Sequence, residues 1–193
     1  MPKKGAFYMA NMHYGPSPID AYDKSRFNVF FADKAPERPL RETQMGTLGI
    51  SEVVPPLVIP PDTVMKFHTS IRIANSISIL TLNPHMHLIG KSFKAFAVTP
   101  EYDTIPLIHI PEWDFRWQYF YTFPKMKVIP AGSLIYAEGW FDNRARNINN
   151  PFSPPRTIRE PEDNMKTTDE MFQFIFNYLP YQAGDEDIRL DGN

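Results

Sequence analysis

The sequence predicts an all-β chain, an antiparallel β-sandwich of jelly-roll type with about nine strands. Three observations carry that expectation. Apolar and polar residues alternate with period two through most of residues 63–141, the pattern of strands with one buried face. Turn signals recur about every eight to twelve residues, and the chain holds 20 Pro against 9 Gly, as many turns and sheet edges require. Stretches of helical period are scarce.

Phe7–Tyr14 reads as a short strand ending at Gly15-Pro16-Ser17-Pro18, and Ser25–Ala32 as a second, where Phe27, Val29 and Phe31 alternate with Arg26, Asn28 and Phe30. Residues 33–48 carry both charge signs and two prolines and read as a connecting loop; Val53–Pro61 reads as an extended edge segment. Strands follow at Thr63–Ala74, Ser76–Ile89 and Ser92–Thr99. One or two more lie between Thr104 and Tyr121, broken by Pro106, Pro111 and Glu112. Lys125–Ile129 and Ser133–Phe141, joined by Pro130-Ala131-Gly132, read as a hairpin. Residues 142–168 form a long polar loop, and Glu170–Tyr178 closes the domain before an acidic tail, 183–193, that is expected to fray.

A net charge of −2 leaves no electrostatic case for nucleic acid or an anionic membrane surface. No stretch approaches the roughly 20 apolar residues of a membrane span. With no cysteine, neither a thiolate metal site nor a disulfide framework is available, and a soft ligand has to come from one of the 9 Met.

The chemistry-bearing stretch is Asn83-Pro84-His85-Met86-His87-Leu88-Ile89-Gly90-Lys91. Two residues apart on a strand, His85 and His87 share a face. Imidazole serves copper, zinc, iron and nickel alike, and a pair of polar residues on a solvated face is the alternative. In the closing strand Phe172, Phe174, Phe176 and Tyr178 form a core face. Met171, Gln173, Ile175 and Asn177 take the other, where Met171 is either an adaptable gap-filler or something more. The aromatic residues Trp113, Trp117, Tyr119 and Tyr121 read mainly as core and loop packing, although a carbohydrate- or protein-binding sandwich could also use them. Glu160, Glu162 and Asp163 read as solvated surface rather than as a glycosidase pair.

The run His85-Met86-His87-Leu88-Ile89-Gly90-Lys91, followed about 80 residues later by Thr167-Thr168-Asp169-Glu170-Met171 and an aromatic-rich strand, resembles the C-terminal domain of the copper type II, ascorbate-dependent monooxygenases. These are the peptidylglycine α-hydroxylating and dopamine β-monooxygenases, and the likeness covers roughly residues 45–182. The resemblance implies that His85, His87 and Met171 bind one copper, where dioxygen is activated to hydroxylate a C–H bond with electrons from ascorbate or another donor. A thioether favours Cu(I), which agrees with that metal; zinc more often recruits a carboxylate or a thiolate. Asp169 and Glu170 are expected to orient the start of the strand or bind backbone amides, not to act as acid or base.

The family's second copper sits on a preceding domain and is held by three histidines, one in a segment resembling Met12-His13-Tyr14-Gly15. The His-His pair that should precede His13 is absent, and His68 and His109 do not match it. Residues 1–44 are therefore expected to be the end of such an upstream domain and a linker, 45–182 the copper-binding sandwich, and the chain alone inactive. Where the peptidylglycine enzymes hold the substrate carboxylate, this chain has Asn83, Gln173 and Ile175, so a C-terminal glycine peptide is not the expected substrate. The partners implied are dioxygen and a small-molecule or peptide substrate, in a periplasmic or extracellular setting. The missing disulfides point to a bacterial-type relative. A non-catalytic copper-binding or structural module is the alternative.

Overall fold

The computed structural model describes residues 14, 17–26, 28, 30, 33–162 and 165–191. The chain divides into two compact units, Met1–Pro36 and Glu37–Asn193. In the first, the Tyr14 hydroxyl donates to the Asp23 carboxylate at 2.9 Å, and no described residue is in a strand. The strand expected at Ser25–Ala32 is thus not formed at its described positions 25, 26, 28 and 30; the one expected at Phe7–Tyr14, apart from Tyr14 itself, lies outside the described residues.

The second unit is an antiparallel β-sandwich. Its strands are β1 Arg41–Gly46, β2 Val58–Ile59, β3 Val64–Arg72, β4 Ile77–Met86, β5 Gly90–Val98, β6 Thr104–Ile110, β7 Tyr121–Ile129, β8 Leu134–Asp142, β9 Ile158–Arg159 and β10 Phe172–Pro180. One sheet has the order β1-β10-β4-β7 and the other β3-β8-β5-β6, with β2 and β9 forming a small ribbon. The pairs β1–β10, β3–β8, β4–β7 and β5–β6 nest inside one another, as in a long hairpin rolled up, which is the jelly-roll arrangement. The facing surfaces bury Ile79, Leu82, Met86, Phe172, Phe174 and Phe176 from one sheet against Phe67, Phe93 and Phe141 from the other.

Three expectations are corrected. Arg41–Gly46 is a strand where a loop was expected. It pairs along its whole length with β10 at the sheet edge, so only its far end, at Met45 and Gly46, is buried and it shows no apolar alternation. Lys125–Ile129 and Ser133–Phe141 do not form a hairpin. β7 pairs with β4 and β8 with β3 and β5, so Pro130–Gly132 carries the chain from one sheet to the other. Gly132, at φ +84°, donates its N–H to Ile73 and docks that crossing on the end of β3.

The acidic tail, finally, does not fray as far as Asp191. Asp185 is 2 % exposed and receives Arg38 Nη1 at 2.7 Å, Arg38 Nη2 at 2.8 Å, Ser78 Oγ at 2.6 Å and the Gln182 N–H at 3.0 Å. Leu190 N then donates to Pro124 O in β7. The Arg38 guanidinium and these other donors hold the Asp185 carboxyl well below its ordinary 3.8, against burial. A depressed value means that the charged form is favoured by folding, so this stability is present above pH 3.8 and is lost as the pH falls below it. Asp185→Asn is expected to cost about 2 kcal/mol at neutral pH. The gap between variant and wild type, read by urea denaturation, should close as the pH is lowered; a gap independent of pH would contradict the assignment.

Candidate functional site

β4 carries Pro84 inside a strand, which a central position would forbid because proline cannot donate to the ladder. The register explains the exception. β7 pairs with β4 only as far as Leu82, opposite Tyr121, so from Asn83 onward β4 has β10 on one side and no strand on the other. Residues 111–120, between β6 and β7, take over that side with side chains instead of a ladder.

Period two then divides the end of β4. Leu82, Pro84 and Met86 face the core and are buried, whereas Asn83 and His85 face outward and are half-buried. β10 answers in register: Phe172 opposes Met86, Phe174 opposes Pro84, and on the outer face Gln173 opposes His85 and Ile175 opposes Asn83. One residue further along the same register, Met171 falls opposite His87. Met171 is 1 % exposed yet stands outside the cluster of core side chains that includes Phe172 and Phe174. The outer-face placement expected for Met171, Gln173 and Ile175 is therefore what the strands produce.

The two imidazole rings lie 5.1 Å apart between centroids and nearly perpendicular. Each has its Nδ1 against an oxygen: His87 on the Asp169 backbone carbonyl at 2.8 Å, His85 on the Gln118 side-chain oxygen. A carbonyl oxygen only accepts, so in the neutral rings Nδ1 carries the hydrogen and Nε2 the lone pair. The His87 ring is also covered by Phe115, with centroids 5.6 Å apart, and its backbone carbonyl accepts from Trp113 Nε1 at 3.2 Å.

Glu170 holds the turn that follows His87. Its two carboxylate oxygens accept from the backbone N–H groups of His87 and Ile89, both at 2.8 Å, while its own N–H donates to Arg159 O. Burial pushes this carboxyl up to about 8, and the N–H groups of Ile89, His87 and Met171 pull in the opposite direction. Its work is to bind backbone amides, as expected of the Asp169-Glu170 pair. Close packing fixes the same turn: a Cβ on Gly90 would lie 2.7 Å from Trp113 Cδ1 and 3.0 Å from Met86.

Asn83 donates its amide to Tyr119 O at 3.0 Å, and Gln173, 7 % exposed, donates to Thr47 O at 2.8 Å. Both are thus engaged with the protein's own backbone. His13 and Asp163 lie outside the described residues. His68 and His109 are on β3 and β6, in the sheet opposite the His85 strand. Of the aromatic residues, Trp113 and Tyr121 pack on the core, whereas Trp117 and Tyr119, 60 % and 53 % exposed, lie tilted against each other in the segment between β6 and β7, the loop packing expected of them.

The contributions of Gln118, Phe115 and Trp113 to the site were not foreseen. The only sequence signal was the density of aromatic residues just after Pro111. Among the described residues no three or more histidine, cysteine or carboxylate side chains are grouped to hold a metal. Among the described residues, the register places the Met171 thioether opposite His87, where it could serve as a third protein donor to a metal at the outer face of β4 and β10. Two Nε2 lone pairs and a thioether form a donor set that suits copper, Cu(I) in particular. No protein-family model matches the chain, and no curated protein matches it.

Proposed function

We propose that residues 45–182 are a copper-binding catalytic domain of a monooxygenase, with His85, His87 and Met171 as the ligands. What supports this reading is the pairing at the open end of β4 of two imidazoles whose Nδ1 atoms rest on oxygen acceptors, with the buried Met171, outside the main core cluster, one step along the register from Phe172. Copper held there would supply the activation of dioxygen for hydroxylation of a C–H bond, using electrons from ascorbate or another external donor. The protein's own groups orient and shield. The Asp169 carbonyl sets the His87 ring, Glu170 clamps the turn beyond it, Phe115 packs against the ring, and Trp113 Nε1 holds the His87 backbone carbonyl.

The rim formed by Asn83, Gln173 and Ile175 offers no charge for a substrate carboxylate, which favours an uncharged small molecule or peptide group at that point. The use of an upstream domain as electron donor, and a periplasmic or extracellular setting, belong to the same proposal. No helix among the described residues is long and apolar enough to cross a membrane.

Titration with Cu(I) against a competing chelator tests the site. One equivalent is expected to bind, and affinity should fall more than about 100-fold in His85→Ala/His87→Ala, beyond the 10–100-fold typical of losing an outer-shell partner. Full affinity in that double variant would sink the reading. The engagement of Asn83 and Gln173 with backbone carbonyls favours a second reading, a copper-binding module without catalysis. Ascorbate-dependent turnover by the full-length protein separates the two.

A further inference from the structure

Gln118 is a polar side chain that joins the segment between β6 and β7 to the His85 ring. It lies in the irregular segment between β6 and β7, 33 residues from His85 in sequence, and it is half-buried. Its amide is fixed in orientation. Nε2 donates to the Phe115 carbonyl at 2.6 Å, which turns Oε1 toward His85 Nδ1. An amide flipped the other way would set its NH₂ against that ring and oppose the carbonyl of Phe115 with a second acceptor.

We infer that Gln118 is a positioning residue that selects the tautomer of His85, keeping hydrogen on Nδ1 and presenting Nε2 as the donor atom. The inference rests on the copper reading for its purpose, although not for its geometry. His87 receives the same treatment from a different source, the Asp169 backbone carbonyl. The two rings therefore differ in how they can be perturbed: side-chain substitution can remove the partner of His85 but not that of His87. The segment is also tied at either side of Gln118, by Trp113 Nε1 on His87 O and by Tyr119 O on Asn83, so the acceptor oxygen arrives on a braced strap. A histidine ligand whose second nitrogen is held by a fixed acceptor is oriented and made more basic.

Long-range ¹H–¹⁵N correlation spectra of the metal-free, histidine-labelled chain at alkaline pH read the tautomers directly. The wild type is expected to show both His85 and His87 with hydrogen on Nδ1. Gln118→Leu, which keeps bulk and removes the acceptor, should move His85 toward the Nε2–H form and leave His87 unchanged. Cu(I) affinity should then fall about 10–100-fold, with little change in melting temperature. Gln118→Glu keeps an acceptor oxygen for His85 Nδ1 but sets its second oxygen against the Phe115 carbonyl, so it should return the Nδ1–H pattern and part of the affinity; it also serves if the leucine variant folds poorly. An Nε2–H pattern at His85 in the wild type, or an unaltered His85 pattern in the leucine variant, overturns the inference. So does undiminished Cu(I) affinity in a leucine variant whose tautomer has changed. The expected tautomers in a wild-type chain that takes up no copper would defeat the copper reading and support the tautomer selection by Gln118.

Discussion

Glu170→Ala is expected to destabilise the sandwich by roughly 3 kcal/mol, because it strands the backbone N–H groups of His87 and Ile89 in a buried turn, and an unsatisfied buried donor costs about 1–3 kcal/mol. Cooperative unfolding in urea should register this as a lower midpoint at unchanged slope, and a thermal scan as a fall of about 2–4 °C per kcal/mol for a domain of this size. Glu170→Gln refines the argument. A glutamine offers one acceptor where the carboxylate offers two, and its NH₂ must face one of the two backbone donors. Its cost should lie near half that of the alanine variant. The loss should extend to the site, because the clamped turn begins at His87 itself. A Glu170→Ala protein within about 0.5 kcal/mol of wild type, the range of ordinary surface changes, would show that water or a shifted backbone satisfies the turn and that Glu170 is not its clamp.

Glu170 also illustrates how far the sequence determines the site. Its association with backbone amides followed from its position at the start of a buried strand, where an acid has few other partners. The outer-face placement of His85, Met171, Gln173 and Ile175 was legible because strand side chains alternate and the aromatic residues of β10 left no doubt about which face was core. Strands β3, β5, β8 and β10 were legible for the same reason. β1 was not: an edge strand that buries only the end around Met45 carries polar residues elsewhere, so its pairing with β10 leaves no pattern in Arg41–Gly46. The misreading of Pro130–Gly132 has a different origin. Turn chemistry reports that the chain reverses, not whether the following strand returns to the same sheet, and here the choice depends on β8 slotting between β3 and β5. Asp185 looks like one acid among several in a charged tail until Arg38 and Ser78 meet it across more than a hundred residues of sequence. Gln118 was invisible on the same grounds, since its segment has no periodicity and its ring partner, His85, is distant in sequence.

Phe172 joins the fold to the site, and Phe172→Ala is expected to have the largest effect of any single truncation there, roughly 3–5 kcal/mol. The ring is fully buried, packs at 5.5 Å from Phe93 and edge-on at 6.1 Å from Phe141, and lies opposite Met86 in the β4 pairing. Gly139 in β8 is pressed so closely beneath it that an added Cβ would sit 2.8 Å from Phe172 Cε2 and 3.0 Å from Met86 Sδ. With the ring removed, that crowding becomes a void which β-strands anchored on both sides cannot close, so most of the cavity cost should remain. Met86 separates His85 from His87 and Phe172 separates Met171 from Gln173, so the void opens directly behind the outer-face donors. Phe172→Leu, which refills most of the volume, should recover more than half of the lost stability. Chemical denaturation of both variants measures the fold, and Cu(I) competition on the fraction that remains folded measures the copper site proposed above. A strong stability loss with unaltered copper affinity would show that the outer face is held by Asp169, Glu170 and Gln118 alone. A parallel loss of both would show that the aromatic core sets the spacing of the donors.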